Sequence, residues 1–266
     1  MTVTLEGGCR VSEMREGDPV VNGTLSVWNR IGRATGTQAI SLRVMEFAPG
    51  NSPTIMNDEC DQILYVLDED SSDSHPERMQ ERKAVTAILI DDVRHEITSD
   101  TGIYIRPNQT FAIDNFGPDS IVIISAQCPD PDRPLRFNDG AHGSSRPRSD
   151  QPAIVRLADR PAQPTADRWY RVIVDDEVGS DQVTQFVGSI PPGRAPDHFH
   201  KYEEVLFILK GEGRMWAGES NTPIAAGSCI YLPKGQVHCV ENTGVGELRL
   251  LGVFYPAGSP SVRYDV

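Results

Sequence analysis

One order of short apolar runs occurs twice in this chain, and that repetition limits the possible fold more than any other feature. ISLRVMEFAPG (Ile40 to Gly50) lines up with VTQFVGSIPPG (Val183 to Gly193), and CDQILYVL (Cys60 to Leu67) with YEEVLFIL (Tyr202 to Leu209). GIYIRP then pairs less cleanly with CIYLP, and IVIISAQCP with LRLLGVFYP. The runs are β-branched or aromatic, four to nine residues long, and bounded by Gly, Pro, Asn and Asp, which is the pattern of short strands rather than helices. A repeated set of such strands predicts an all-β chain of two tandem β-barrels or sandwiches with few helices. The boundaries follow: residues 1–130 for the first copy, a Pro/Asp/Arg-rich connector over 131–167 with one short strand at AIVRL, and residues 168–266 for the second. The first copy carries an insertion at 68–83, opening with Asp68, Glu69, Asp70, Asp73 and Glu77 before any cation, and it reads as a solvated loop.

Charge narrows the partners. Thirty-eight acidic against 25 basic side chains give a formal charge of −13, so the surface repels polyanions and nucleic acid is excluded as a partner. No run approaches the ~18 apolar residues of a membrane-spanning helix, and the start MTVTLEGGCR has neither the basic nor the apolar region of a signal peptide. Five scattered cysteines (Cys9, Cys60, Cys128, Cys229 and Cys239) make no disulfide framework. A reducing, cytoplasmic setting is the expectation.

The chemistry concentrates in the second copy. HFHKYEEVLFILKG places His198, His200, Glu204 and Gly211 in the spacing His-x-His-x3-Glu-x6-Gly. GSCIYLPKGQVHCVEN then places Gly227, Pro233, Gly235, His238 and Asn242. Alternation along a strand turns His198 and His200 to one face, and Glu204 keeps that parity. His238 arrives from a separate strand, set by the Pro-Lys-Gly turn before it. Three imidazoles and a carboxylate suit one divalent first-row transition metal better than Mg or Ca. Glu203 is a rival ligand by chemistry, but alternation turns it the other way. No nucleophile elbow, phosphate-binding loop or dinucleotide fingerprint competes.

These two segments resemble the paired motifs of the cupin superfamily, strongly over residues 168–256 and, through the repeat, over residues 25–128. The first motif departs from the usual spacing at Gly193, which stands one residue closer to His198. The resemblance implies jelly-roll-type barrels, with His198, His200, Glu204 and His238 holding one metal per chain and Glu204 also acting in catalysis. Fe(II) is the favoured ion, with Mn(II), Ni(II) or Zn(II) as alternatives. In the first copy these positions fall on Met56, Asp58, Gln62 and near Ala112, so that barrel is expected to bind no metal. The pocket is expected from Leu206 and Ile208, with Arg171, Gln185, Trp216 and Tyr231 as candidate substrate contacts. Arg171, Arg194 and Arg214 are the choices for a substrate carboxylate. Cupin sites of this type imply an oxygenase acting on a small metal-chelating substrate with dioxygen; the alternatives are a redox-neutral isomerase, lyase or decarboxylase, and a non-enzymatic binding barrel. A homo-oligomer is the expected assembly, with Val20, Val21, Leu25 and Trp28 available for it or for the interior.

Overall fold

The computed structural model describes residues 1–57, 59–68, 86–138, 154–262 and 264–265. The acidic insertion beyond Asp68, the middle of the connector and Asp58 lie outside these residues. Among the described residues there is no α-helix, only strands joined by turns and three-residue 3-10 segments. No helix is long and apolar enough to cross a membrane.

The strands make four sheets, one large and one small for each copy of the repeat. In the second copy the large sheet runs Ser228–Leu232, Glu203–Lys210, Leu248–Tyr255, Thr184–Ile190, Arg168–Val174. Its small sheet holds Ser220–Ala225, Glu212–Ala217, His238–Asn242 and His198–Phe199. The first copy repeats this plan with Thr101–Ile105, Asp61–Val66, Ile121–Cys128, Ser41–Phe47 and Leu25–Ile31 in the large sheet. Each pair of sheets encloses its own core, around Met45, Phe47 and Phe111 in one barrel and Leu206, Met215 and Leu250 in the other.

The two large sheets pack back to back. Val44, Ile63, Tyr65 and Ile124 meet Val187, Val205, Phe207 and Val253 in a third core between the barrels. Central strands are therefore buried on both faces: every residue of Asp61–Val66 and of Thr184–Ile190 is buried. That is why they read as near-continuous apolar runs, whereas Thr110–Asn115 in a small sheet alternates.

Strand pairing crosses the expected boundaries at both ends. Val3–Thr4 and Arg10–Glu13 join the large sheet of the second barrel, with Val11 opposite Ile230. Ile154–Arg156 pairs with Thr101–Ile103, and Arg136–Phe137 with Ile55–Met56, so the connector supplies two strands to the first barrel. Each crossing covers a backbone edge that a barrel would otherwise expose. Of the early apolar residues, Leu25 is fully buried and Trp28 packs against the inter-barrel core, donating its indole N–H to the Gly17 carbonyl. Val20 and Val21 stay exposed, at 61% and 64%, on the edge strand Val20–Asn22.

A buried asparagine ties the same corner in both barrels. Asn242 Nδ2 donates to the carbonyls of Ile190 and Gly246, and its Oδ1 accepts from Gly244 N–H. Asn115 does the same with Phe47, Asp119 and Gly117. The asparagine of the second motif is thus a fold residue, present even where the histidines are gone. Asn242→Ala leaves these buried groups unpaired and is expected to cost about 2–4 kcal/mol of stability, read as a lowered urea midpoint.

Candidate metal centre

The ligand strand is short and held from both sides. His198–Phe199 lies between His238–Asn242 and Tyr264–Asp265, with His198 directly opposite His238. Glu204 sits at the start of Glu203–Lys210, across from Leu232 and Phe254. The Pro233–Gly235 turn is pinned when Gly235, at φ 80°, donates its N–H to the His200 carbonyl at 2.8 Å. Glycine is suited to that left-handed position, and the turn delivers His238 to the site.

Three imidazoles converge. Each of His198, His200 and His238 offers a ring nitrogen, and these atoms lie within 4.8 Å of one another. Among the described residues this is the one such cluster of three or more potential ligands. Ring centroids stand 4.5 to 5.3 Å apart. His198 Nδ1 lies 3.0 Å from the Pro196 carbonyl, and His238 Nδ1 2.8 Å from that of Gln236. A carbonyl only accepts, so Nδ1 carries the proton in both rings and Nε2 is left with its lone pair. Burial, reinforced by neighbouring His198, lowers His200 to about 4 and His238 to about 3. Both rings are therefore neutral at physiological pH, the form that binds a metal. Glu204 Oε2 is 3.6 Å from His200 Nε2, and burial pushes this carboxyl up to about 8. The donor set, three imidazole nitrogens with a carboxyl beside them, fits a divalent first-row ion and gives no preference for iron over manganese, nickel or zinc.

The site opens into a cavity of about 130 Å³ between the two sheets of the second barrel. Leu206 lines it, and Ile208 lies on the same inner face in the barrel core. The other expected contacts point elsewhere. Gln185 is buried at the inter-barrel seam beside Gly102, and Tyr231 packs in the inter-barrel core with its hydroxyl on Glu203. Arg171 donates to the Leu157 carbonyl and stacks on Trp169, on the outer face of its strand. Trp216 lies on the outside of the small sheet, under the Arg194 guanidinium and bonded to Glu241. Arg194 also reaches Asp197 and Cys239, and Arg214 bonds Asn221. None of these lines the cavity.

The walls are instead Tyr170, Phe186, Val240, Leu250 and Phe254, together with Tyr202, which stacks on both His200 and Phe254. Arg168 is the one arginine or lysine among the lining residues, and its Nε is engaged by Asp167 at 3.1 Å. Cross-strand register is the signal that would have found them. Leu206 leads across Gly252 to Phe186, and Leu250 across Gly188 to Tyr170.

The first barrel corrects the alignment by one residue. Gly50 pairs with Asn115 as Gly193 pairs with Asn242. Counting from those anchors, the counterparts of His198, His200 and His238 are Ile55, Asn57 and Phe111, not Met56, Asp58 and Ala112. Glu204 still corresponds to Gln62. The shift arises because five residue steps separate Asn57 from Gln62, whereas four separate His200 from Glu204. Asn57 spends its amide on the carbonyls of Cys60, Ile105 and Arg106. The buried Arg43 guanidinium bonds Asn29 and Gln127, the latter directly across from Gln62. A fixed cation there opposes a second one.

Residues 186–254 match the family model of the cupin domain. Auxin-binding protein 1 of Arabidopsis thaliana is 34% identical over 83 residues, 27% of this chain and 42% of that protein. An oxalate-binding protein of Thermotoga maritima is 37% identical over 67 residues, 24% of this chain and 54% of that one. The match thus spans about half the length of these relatives. Over nearly the whole chain the fold superimposes on oxalate decarboxylases. A Bacillus subtilis variant gives a TM-score of 0.72 at 12% identity, covering 97% of this chain and 79% of that one. The Lactobacillus farciminis enzyme in its formate complex gives 0.72 at 11%, covering 96% and 87%. At such identities the likeness is one of fold.

Proposed function

We propose, from the premise that this chain belongs to the cupin superfamily and carries two of its barrels, that the second barrel is a metal-dependent catalytic site for redox-neutral chemistry on a small carboxylate, decarboxylation first among the candidates. The observation that carries the reading is the convergence of three imidazoles beside the buried Glu204. His198, His200 and His238 would hold the ion through Nε2. When bound, a divalent metal supplies a Lewis acid that takes the substrate's oxygen atoms and draws electron density from the bond to be broken.

The chain's own residues do the rest. Glu204, buried with Oε2 3.6 Å from His200 Nε2, would deliver a proton from its carboxyl to the carbon that loses carbon dioxide. The C–C bond breaks, its electron pair stays on that carbon, and the proton fills the vacated position, so no oxidant is consumed. The apolar walls keep bulk water away from the developing carbanion. Support for this reading over the oxygenase alternative comes from relatives whose names describe oxalate binding and oxalate decarboxylation. Loaded separately with Mn(II), Fe(II) and Zn(II), the protein is expected to release carbon dioxide from a 3-oxo carboxylate at the same rate with and without dioxygen. Stoichiometric dioxygen uptake would restore the oxygenase reading.

A further inference from the structure

Resting on the carboxylate reading above, we propose that the ligand of this site bears a compact apolar body the size of a single aromatic ring, and that a two-carbon dicarboxylate such as oxalate is not its preferred ligand. Three cross-strand rows of inward-facing residues define the space. Glu204 faces Phe254 in the first, Leu206 faces Gly252 and then Phe186 in the second, and Ile208 faces Leu250, Gly188 and Tyr170 in the third.

The two glycines differ in use. A Cβ on Gly252 would come within 2.3 Å of the Phe186 ring, so this glycine gives the phenyl ring room to lie flat on the sheet. A Cβ on Gly188 would meet Leu250 and Phe186 only at 3.5 and 3.6 Å, an ordinary contact, so this glycine leaves space that nothing fills. That space belongs to the cavity of about 130 Å³. Cavities of about 150 Å³ walled by Leu, Ile and Phe stay dry and take up benzene. The whole space, imidazole end included, is about the size of one ring, and the walls away from that end are largely apolar.

Polar side chains of the lining beyond the imidazole end are engaged elsewhere: Arg168 Nε by Asp167, the Tyr170 hydroxyl by Gln163 and the Ser189 hydroxyl by Glu247, so carboxylate recognition falls to the imidazoles. A second carboxylate projecting beyond the metal end would meet Phe186, Leu206, Val240 and Leu250 and find no donor among them. An apolar body placed there gains contact and loses water-exposed surface.

The test is calorimetric titration of Zn(II)-loaded protein with phenylacetate, acetate and oxalate, repeated with toluene and phenylacetate on metal-free protein. Phenylacetate is expected to bind about tenfold or more tightly than acetate and at least as tightly as oxalate. Gly188→Val should fold, since the backbone there is extended, and should keep the parent's zinc content while losing about tenfold or more in phenylacetate affinity. Tighter oxalate than phenylacetate binding, or a Gly188→Val protein that binds phenylacetate as the parent does, overturns the proposal. If zinc fails to load, the carboxylate–metal reading fails separately. Toluene binding lost in Gly188→Val then still supports the ring-sized body, and no toluene binding overturns it.

Discussion

His238→Ala is expected to lower metal affinity by more than about a hundredfold and to abolish turnover while leaving the fold in place. His238 reaches the imidazole cluster from the opposite edge. It is 4% exposed, its Nδ1 is fixed on the Gln236 carbonyl, and it stands directly across from His198. Without it the remaining imidazoles come from one short stretch, His198 and His200, and cannot enclose an ion. The structural loss is small by comparison, one hydrogen bond and part of a pocket wall. Elemental analysis after reconstitution and dialysis should give about one equivalent per parent chain and almost none for the variant, with unchanged circular dichroism. Two equivalents in the parent would mean that Ile55, Asn57, Gln62 and Phe111 stand in a barrel that binds metal after all.

How much of this was legible in the sequence depends on which face a residue must choose. The repeat gave the strands because turn residues bracket each run. The histidines are legible because His198 and His200 alternate to one face of a short stretch and His238 follows a Pro-Lys-Gly turn. Parity with Glu204 puts Leu206 and Ile208 on the inner face, where Leu206 lines the cavity and Ile208 packs in the core. No such reference exists for Gln185, Arg171 and Tyr231 on their strands. The large sheets are apolar on both sides, so hydrophobic pattern cannot say which side is the pocket and which the inter-barrel seam. The place of Val3–Thr4 and Arg10–Glu13 in the second barrel is hidden for another reason: the strand that Arg10–Glu13 pairs with, Ser228–Leu232, lies more than two hundred residues away, and nothing local announces it. In the first barrel the turn between Asn57 and Gln62 is one residue longer than that between His200 and Glu204, so the paired Gly50 and Asn115, and not Gln62, fix which residues are equivalent.

Glu203 and Glu204, adjacent in sequence, are expected to affect stability with opposite signs. Glu203 faces the seam. Its carboxylate accepts the N–H groups of Gln38 at 2.8 Å and Ala39 at 2.7 Å, and the Tyr231 hydroxyl, tying the first barrel to the back of the ligand strand. The first barrel has a shorter version in which Asp61 accepts the Tyr104 hydroxyl at 2.6 Å. Glu203→Ala strands two amide donors and a phenol at 8% exposure and is expected to cost about 3–5 kcal/mol. Glu204 instead faces the pocket, and its carboxyl is raised from 4.5 to about 8 by burial. A carboxyl whose folded value lies above its unfolded value contributes no penalty below the unfolded value, and destabilises progressively as pH rises from about 4.5 to 8. In metal-free protein, Glu204→Gln should therefore leave stability nearly unchanged at pH 4.5 and raise it by on the order of 2–3 kcal/mol at pH 7. Urea midpoints of the two metal-free variants at both pH values check this directly. A Glu203 variant of parental stability would remove the tether, and a Glu204→Gln protein that is less stable at pH 7 would mean its carboxylate is paired rather than merely buried.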